Sequence, residues 1–223
     1  PLSGLTNLTQ LWLWKNQIAD ISVLSSLTRL ERFGCEENPI ADVSVLSGMP
    51  HLVELWLDSI DATDISLSGL SDLAEFYVRG NELERLSLSG LTSLSTLEMD
   101  QLRVENLTFS DLTSLAALDF GGVENLDTLS LSGLTSLTAL DFGDIGYVNN
   151  LALSDLTNLA VLDFGDVQYI RDLSLSRLTS LSVLEMDQLR AANLTFSDLT
   201  SLAALDFSGV EDLDTLFLSG LTS

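Results

Sequence analysis

The stretch Leu2-Ser3-Gly4-Leu5-Thr6-Asn7-Leu8-Thr9-Gln10-Leu11-Trp12-Leu13-Trp14-Lys15-Asn16-Gln17-Ile18-Ala19-Asp20-Ile21 decides the fold. Its apolar residues fall at 2, 5, 8, 11, 13, 18 and 21, with an asparagine at 16. The same frame restarts at Leu24, Leu46, Leu67, Leu88, Phe109, Leu131, Leu153, Leu175, Phe196 and Leu218, always 21 or 22 residues on. That gives ten full units and a truncated eleventh over residues 1–223. One such unit has too few apolar residues for a core of its own. Stacked units bury a continuous column, so stability depends on neighbours. In Leu11-Trp12-Leu13-Trp14 the period is two: the leucines point inward and Trp12 and Trp14 face out. Ten such strands at ~4.8 Å make a parallel sheet roughly 45–50 Å long.

Composition narrows the function classes. The chain has 33 acidic and 9 basic residues, a net charge of −24, which disfavours nucleic acid and anionic membranes as partners. The 51 leucines and the 46% hydrophobic fraction are too high for disorder, yet no apolar run reaches the ~20 residues of a membrane span, so membrane insertion is not expected. A single cysteine and a single histidine rule out a disulfide framework and histidine- or cysteine-based metal clusters. Cys35 takes an inward strand position and is expected to be a buried thiol; His51 falls in a turn. No nucleophile–base arrangement or phosphate loop is present, and no catalytic residue is assigned.

The residues carrying the pattern resemble the leucine-rich repeat family. The first unit, residues 1–22, resembles the 22-residue repeats of bacterial internalin-like surface proteins. The likeness is strongest over residues 1–66, and residues 67–223 read as a divergent repeat type. The resemblance implies one right-handed leucine-rich repeat solenoid. A parallel β-sheet is expected on the concave face, and short 3-10, irregular or short β segments on the convex face. It also implies a non-catalytic recognition scaffold for a protein or glycan in a bacterial surface or secreted protein. A spacer or adhesin stalk and a designed repeat array remain as alternatives. The chain opens and stops within the repeat frame, at Pro1 and Ser223, and is expected to be a piece of a longer protein.

Asparagine follows the strand at Asn16, Asn38 and Asn81, where the family uses it to bond neighbouring loop backbone. The other seven units carry Ile60, Leu102, Val123, Ile145, Val167, Leu189 and Val210, so their turns must be built differently. The alternation at Leu129-Ser130-Leu131 suggests a second strand on the convex side. Serine follows the first residue of all eleven frames, from Ser3 and Ser25 to Ser219, and is expected to cap a short helical turn. Residues 88–130 and 175–217 agree at 36 of 43 positions, which suggests duplication or design and argues against catalysis.

The outward columns hold the candidate site. The residue between the two strand leucines reads Trp12, Gly34, Trp56, Tyr77, then Glu98, Asp119, Asp141, Asp163, Glu185 and Asp206. With Trp14, Arg32, Glu36, Asp58 and Arg79 beside it, the aromatic end is read as a partner-binding face. The acidic end sets like charges in adjacent strands, at a cost of roughly 0.9 kcal/mol per pair in water before screening. Three readings stay open for it: a solvated face, a dock for a basic partner, or a calcium site. No other cofactor is expected, and the sequence says nothing of oligomeric state.

Overall fold

The computed structural model describes residues 2–143, 145–165 and 167–221; Pro1 and Ser223 lie outside them. The chain is a right-handed leucine-rich repeat solenoid with parallel sheets and almost no helix. One face is built from strands of two or three residues. Gln10–Trp12, Arg32–Gly34, Glu54–Trp56, Glu75–Tyr77 and Thr96–Glu98 form a five-stranded parallel sheet. Ala139–Leu140, Val161–Asp163 and Val183–Glu185 form a three-stranded one. The coil carrying Asp119 separates the two.

The other face changes character along the chain. It begins with 3-10 turns, Ser22–Ser26 and Ser44–Gly48. It continues as one eight-stranded parallel sheet running from Asp64–Ser68 to Thr215–Ser219, with most strands eight residues long. Spacing explains the switch. In the first coils the buried residues Ile21, Leu24 and Leu27, and then Val43, Leu46 and Met49, are three apart, the period of a 3-10 helix. In the next, Ile65 and Leu67 are two apart, the period of a strand. The same Asp-Ile-Ser opening at 20–22 and 64–66 thus folds in two ways, according to one residue of spacing. The strand suggested at Leu129 is therefore present, as Asn125–Ser132.

Serine does not cap the 3-10 turns as the sequence implied. Neither 3-10 turn has a side-chain cap on its flanking residue. Instead Asp20 Oδ1 accepts the N–H of Ser22, and Asp42 Oδ1 that of Ser44, each at 2.8 Å. These bonds hold both carboxyls below their ordinary range. The repeated serine ends each long strand, and its hydroxyls line up in register: Ser110 Oγ donates to Ser89 Oγ at 3.0 Å. The next residue adopts a left-handed φ, as at Gly90, Asp111, Gly133 and Asp155, which accounts for the glycine or aspartate there.

Both faces point leucines into one core, which holds Cys35 fully buried, its thiol pushed up to about 12 by burial. His51 is exposed, with Nδ1 3.5 Å from Asp72 Oδ2. The turns solve their hydrogen bonding in two ways. Asn38 Nδ2 donates to the carbonyls of Leu13, Cys35 and Glu36, and its Oδ1 accepts from Ile18 N–H. Asn81 repeats this with Leu57, Val78 and Ile60. In six of the units without asparagine, the apolar residue's own N–H bonds the carbonyl three residues back, as from Val123 to Phe120 and from Ile145 to Phe142. The acceptor is the same frame position in both cases; only the donor changes. No helix among the described residues is long and apolar enough to cross a membrane.

Candidate functional site

The sheet register sets the aromatic column as the sequence implied. Trp12 pairs with Gly34, Gly34 with Trp56, Trp56 with Tyr77, and Tyr77 with Glu98. Side chains in such a column are separated by one strand spacing, so large rings stack. Trp56 and Tyr77 do so at 3.8 Å between centroids and 16° between planes. Their polar ends are satisfied on the strand itself: Trp56 Nε1 donates to Glu54 at 2.7 Å, and Tyr77 OH to Glu75 at 2.8 Å. The Tyr77–Glu75 bond, with some burial, pushes the phenol up to about 12. Arg79 lies over both rings at 5.4 Å and is fixed by Asp58, which accepts its Nε and Nη2 and also its backbone N–H.

Gly34 decides the shape of the neighbouring region. A Cβ on it would lie 2.6 Å from Trp12 Cε3 and 2.7 Å from Glu36 Oε2. Its bare α-carbon is what lets the Trp12 ring and the Glu36 carboxylate meet over the strand. Glu36 Oε2 is buried without a hydrogen-bond partner, and burial holds its carboxyl above the ordinary range. Trp12 and Trp14 are exposed, at 40% and 57%.

These groups border an open cavity of about 790 Å³, walled by Trp12, Trp14, Glu36, Trp56, Asp58 and Arg79. Six of the eight residues proposed from sequence are thus brought together. Tyr77 supports Trp56 from beside the cavity, and Arg32 sits at the start of its strand, 3.3 Å from Glu54. Sequence reasoning missed Asp100, in the column of Asp58 and Arg79, and it missed Lys15, Glu37, Ser59, Gly80 and Gln101, which line the cavity from the loops. The loop residues share one frame position, and each has a left-handed φ, so reading one more column would have found them.

The acidic column is placed differently. Glu98, Asp163 and Glu185 end strands, while Asp119, Asp141 and Asp206 lie in coil positions of the same frame. Four of its carboxylates serve their own backbone. Asp119, Asp141 and Asp163 each accept the N–H of the glycine two residues on, and Asp206 that of Ser208. This is the Asx turn, and it holds the Asp206 carboxyl below its ordinary range. Among the described residues no group of three or more histidine, cysteine, aspartate or glutamate side chains is placed to hold a metal. A melting experiment separates a calcium site from bulk screening. On this geometry calcium chloride and sodium chloride at matched ionic strength raise the melting temperature equally, and a larger rise with calcium restores the metal reading.

Comparison with known proteins agrees with the architecture. Residues 6–47 match the family model for leucine-rich repeats in two copies. No curated protein sequence matches the chain. Among solved structures, the functional domain of InlJ from Listeria monocytogenes, described as including a cysteine ladder, is similar with a TM-score of 0.50 at 19% identity. That match covers 90% of this chain but spans 62% of the InlJ chain. Internalin InlF of Listeria monocytogenes is 24% identical with a TM-score of 0.42, covering 99% of this chain and 77% of its own. A leucine-rich repeat protein of Leptospira interrogans is 17% identical with a TM-score of 0.37, covering 96% and 86%. Residues 6–47 thus carry leucine-rich repeats, and the fold of the chain resembles that of the InlJ domain.

Proposed function

We propose that this leucine-rich repeat solenoid is a recognition module that binds a protein through its short-strand face, as part of a bacterial surface or secreted protein. The cavity bordered by Trp12, Trp14 and Trp56 carries the reading. Open aromatic surface costs solvation, and Trp, Tyr and Arg are the side chains that most often anchor protein interfaces. Here such residues are preorganised: Trp56 is stacked on Tyr77, and Arg79 is locked by Asp58. Nothing in the cavity pairs a nucleophile with a base, so binding rather than catalysis is the chemistry proposed.

The later coils support a second role, that of spacer. Their outward positions beside the acidic column are small, with Ala117, Ala139, Val161, Val183 and Ala204 on one side and Gly121, Gly143 and Gly165 on the other. A surface without large anchors extends the module rather than gripping a partner.

The test compares Trp12→Ala/Trp56→Ala with wild type. Neither ring is part of the buried core, so the double variant keeps its circular dichroism spectrum and loses partner binding by at least about a hundredfold, the scale of two interface anchors. Glu105→Ala, on the long-strand face, copies the alanine that the chain carries at the matching position 192 and keeps binding. Retained binding in the tryptophan variant overturns the reading.

A further inference from the structure

We propose that the cavity takes a protonated lysine or arginine side chain of the partner, seated between Trp12 and Glu36. This rests on the reading of the short-strand face as the recognition surface and names what that surface grips.

Charge bookkeeping inside the cavity points first. Its walls hold two cations, Lys15 and Arg79, and four anions, Glu36, Glu37, Asp58 and Asp100. Lys15 pairs with Glu37 at 3.3 Å and Arg79 with Asp58 at 2.7 Å. Glu36 and Asp100 therefore have no ion-pair partner among the described residues. A ligand that brings positive charge completes this set; a neutral glycan or an acidic peptide does not.

An unsatisfied atom points to the same place. Glu36 Oε2 is the buried side-chain polar atom without a hydrogen-bond partner among the described residues. Buried polar atoms are nearly always satisfied, and an orphan oxygen costs stability until a donor reaches it. Glu36 lines the open cavity, but this oxygen is shut off from solvent beside the Trp12 ring, over Gly34. A cation that lifts the Trp12 ring off Gly34 uncovers that carboxylate oxygen and the aromatic surface together.

The rings of this surface already hold cations from the chain itself. Arg79 lies 5.4 Å from the centroids of Trp56 and Tyr77, and Lys15 lies 6.0 Å from that of Trp14. Among the described residues Trp12 carries no such cation, although it is 40% exposed and next to the unpaired carboxylate. Cation–π attraction is strongest on tryptophan and grows as the site is desolvated. A lysine ammonium or arginine guanidinium fits both needs at once: donors for Glu36 Oε2 and positive charge for the Trp12 face. The two differ in shape, since arginine stacks flat and lysine acts as a point charge, so the test carries both.

All three tryptophans of the chain border this cavity, so intrinsic emission reads it directly. The probes are acetyl-Gly-Gly-Lys-Gly-Gly-amide and its arginine and norleucine counterparts, titrated into wild type, Glu36→Gln and Glu105→Gln. The last removes one charge from the −24 outside the cavity, as a control for bulk attraction. We expect saturable emission changes with the lysine or arginine peptide and none with norleucine. Glu36→Gln weakens binding by about tenfold while its melting temperature stays or rises, since it removes a buried charge. Glu105→Gln binds within about twofold of wild type. Equal weakening by both variants assigns the effect to bulk charge and overturns the proposal. A lower melting temperature in Glu36→Gln makes Glu36 structural and does the same. So does silence from every peptide. Norleucine matching lysine removes the cation but leaves the recognition surface standing, whereas that surface fails only if Trp12→Ala/Trp56→Ala keeps the partner.

Discussion

Asn81→Ala lowers the stability of the chain by about 3–5 kcal/mol, because three buried backbone groups lose their partner at once. Its Nδ2 donates to the carbonyls of Leu57 and Val78 at 2.8 Å, and its Oδ1 accepts the N–H of Ile60 at 2.9 Å. The residue is 1% exposed, so water does not replace these bonds without opening the coil. Each orphaned group costs about 1–3 kcal/mol. For a chain of this size that is a fall of about 10 °C in melting temperature. Asn16→Ala is the comparison. Its side chain donates only within its own exposed turn, to Leu13 and Trp14, and the loss is under about 1 kcal/mol. Urea titration of the two variants decides the matter: equal costs would show that the bridge between coils is not what stabilises this end.

Phe142→Ala is the second large effect. Phe142 is 2% exposed and stacks between Phe120, at 6.3 Å, and Phe164, at 5.4 Å. Removing the ring leaves a cavity in the middle of the array, at about 3–5 kcal/mol. Phe142→Leu should cost only about 1–1.5 kcal/mol, since Leu57 fills the same frame position in an earlier coil. A Leu variant as unstable as the Ala variant would mean that ring stacking, and not filled volume, holds these coils together. The same urea titration measures it.

The frame explains what was legible in advance. A period of two cannot slip by one residue without turning every leucine outward, so the positions of Trp12, Gly34, Trp56 and Tyr77 in one column followed from the repeat alone. The orphaned asparagine positions were legible too, because an apolar residue at Val123 or Ile145 has no side chain with which to bond a carbonyl. What replaces it is a backbone bond, and backbone donors leave no trace in residue type. Serine misled for a related reason: its cap propensity is local, whereas the spacing of Ile65 and Leu67 ahead of Ser68 had already committed the segment to a strand. The acidic column was read across strands only. Read along the chain, Asp119-Phe120-Gly121 and its three counterparts spell a carboxylate two residues before a turn, and that is where their bonds go. Glu36 depends on packing that residue type does not carry. Its place on the surface could be listed from sequence, but that one of its oxygens lacks a partner depends on how the Trp12 ring and the bare Gly34 share space.

The gap between the two short-strand sheets has a mechanical meaning. At the coil of Asp119 one side of the solenoid loses its ladder, while the eight-stranded sheet opposite runs through without interruption. A beam stitched on one edge and open on the other bends about the stitched edge. Bending compliance is therefore raised there, between the five-stranded sheet that carries the tryptophans and the three-stranded sheet that carries Asp163 and Glu185. A load arriving along the axis would flex the molecule there, and leave the cavity of the first five strands undeformed.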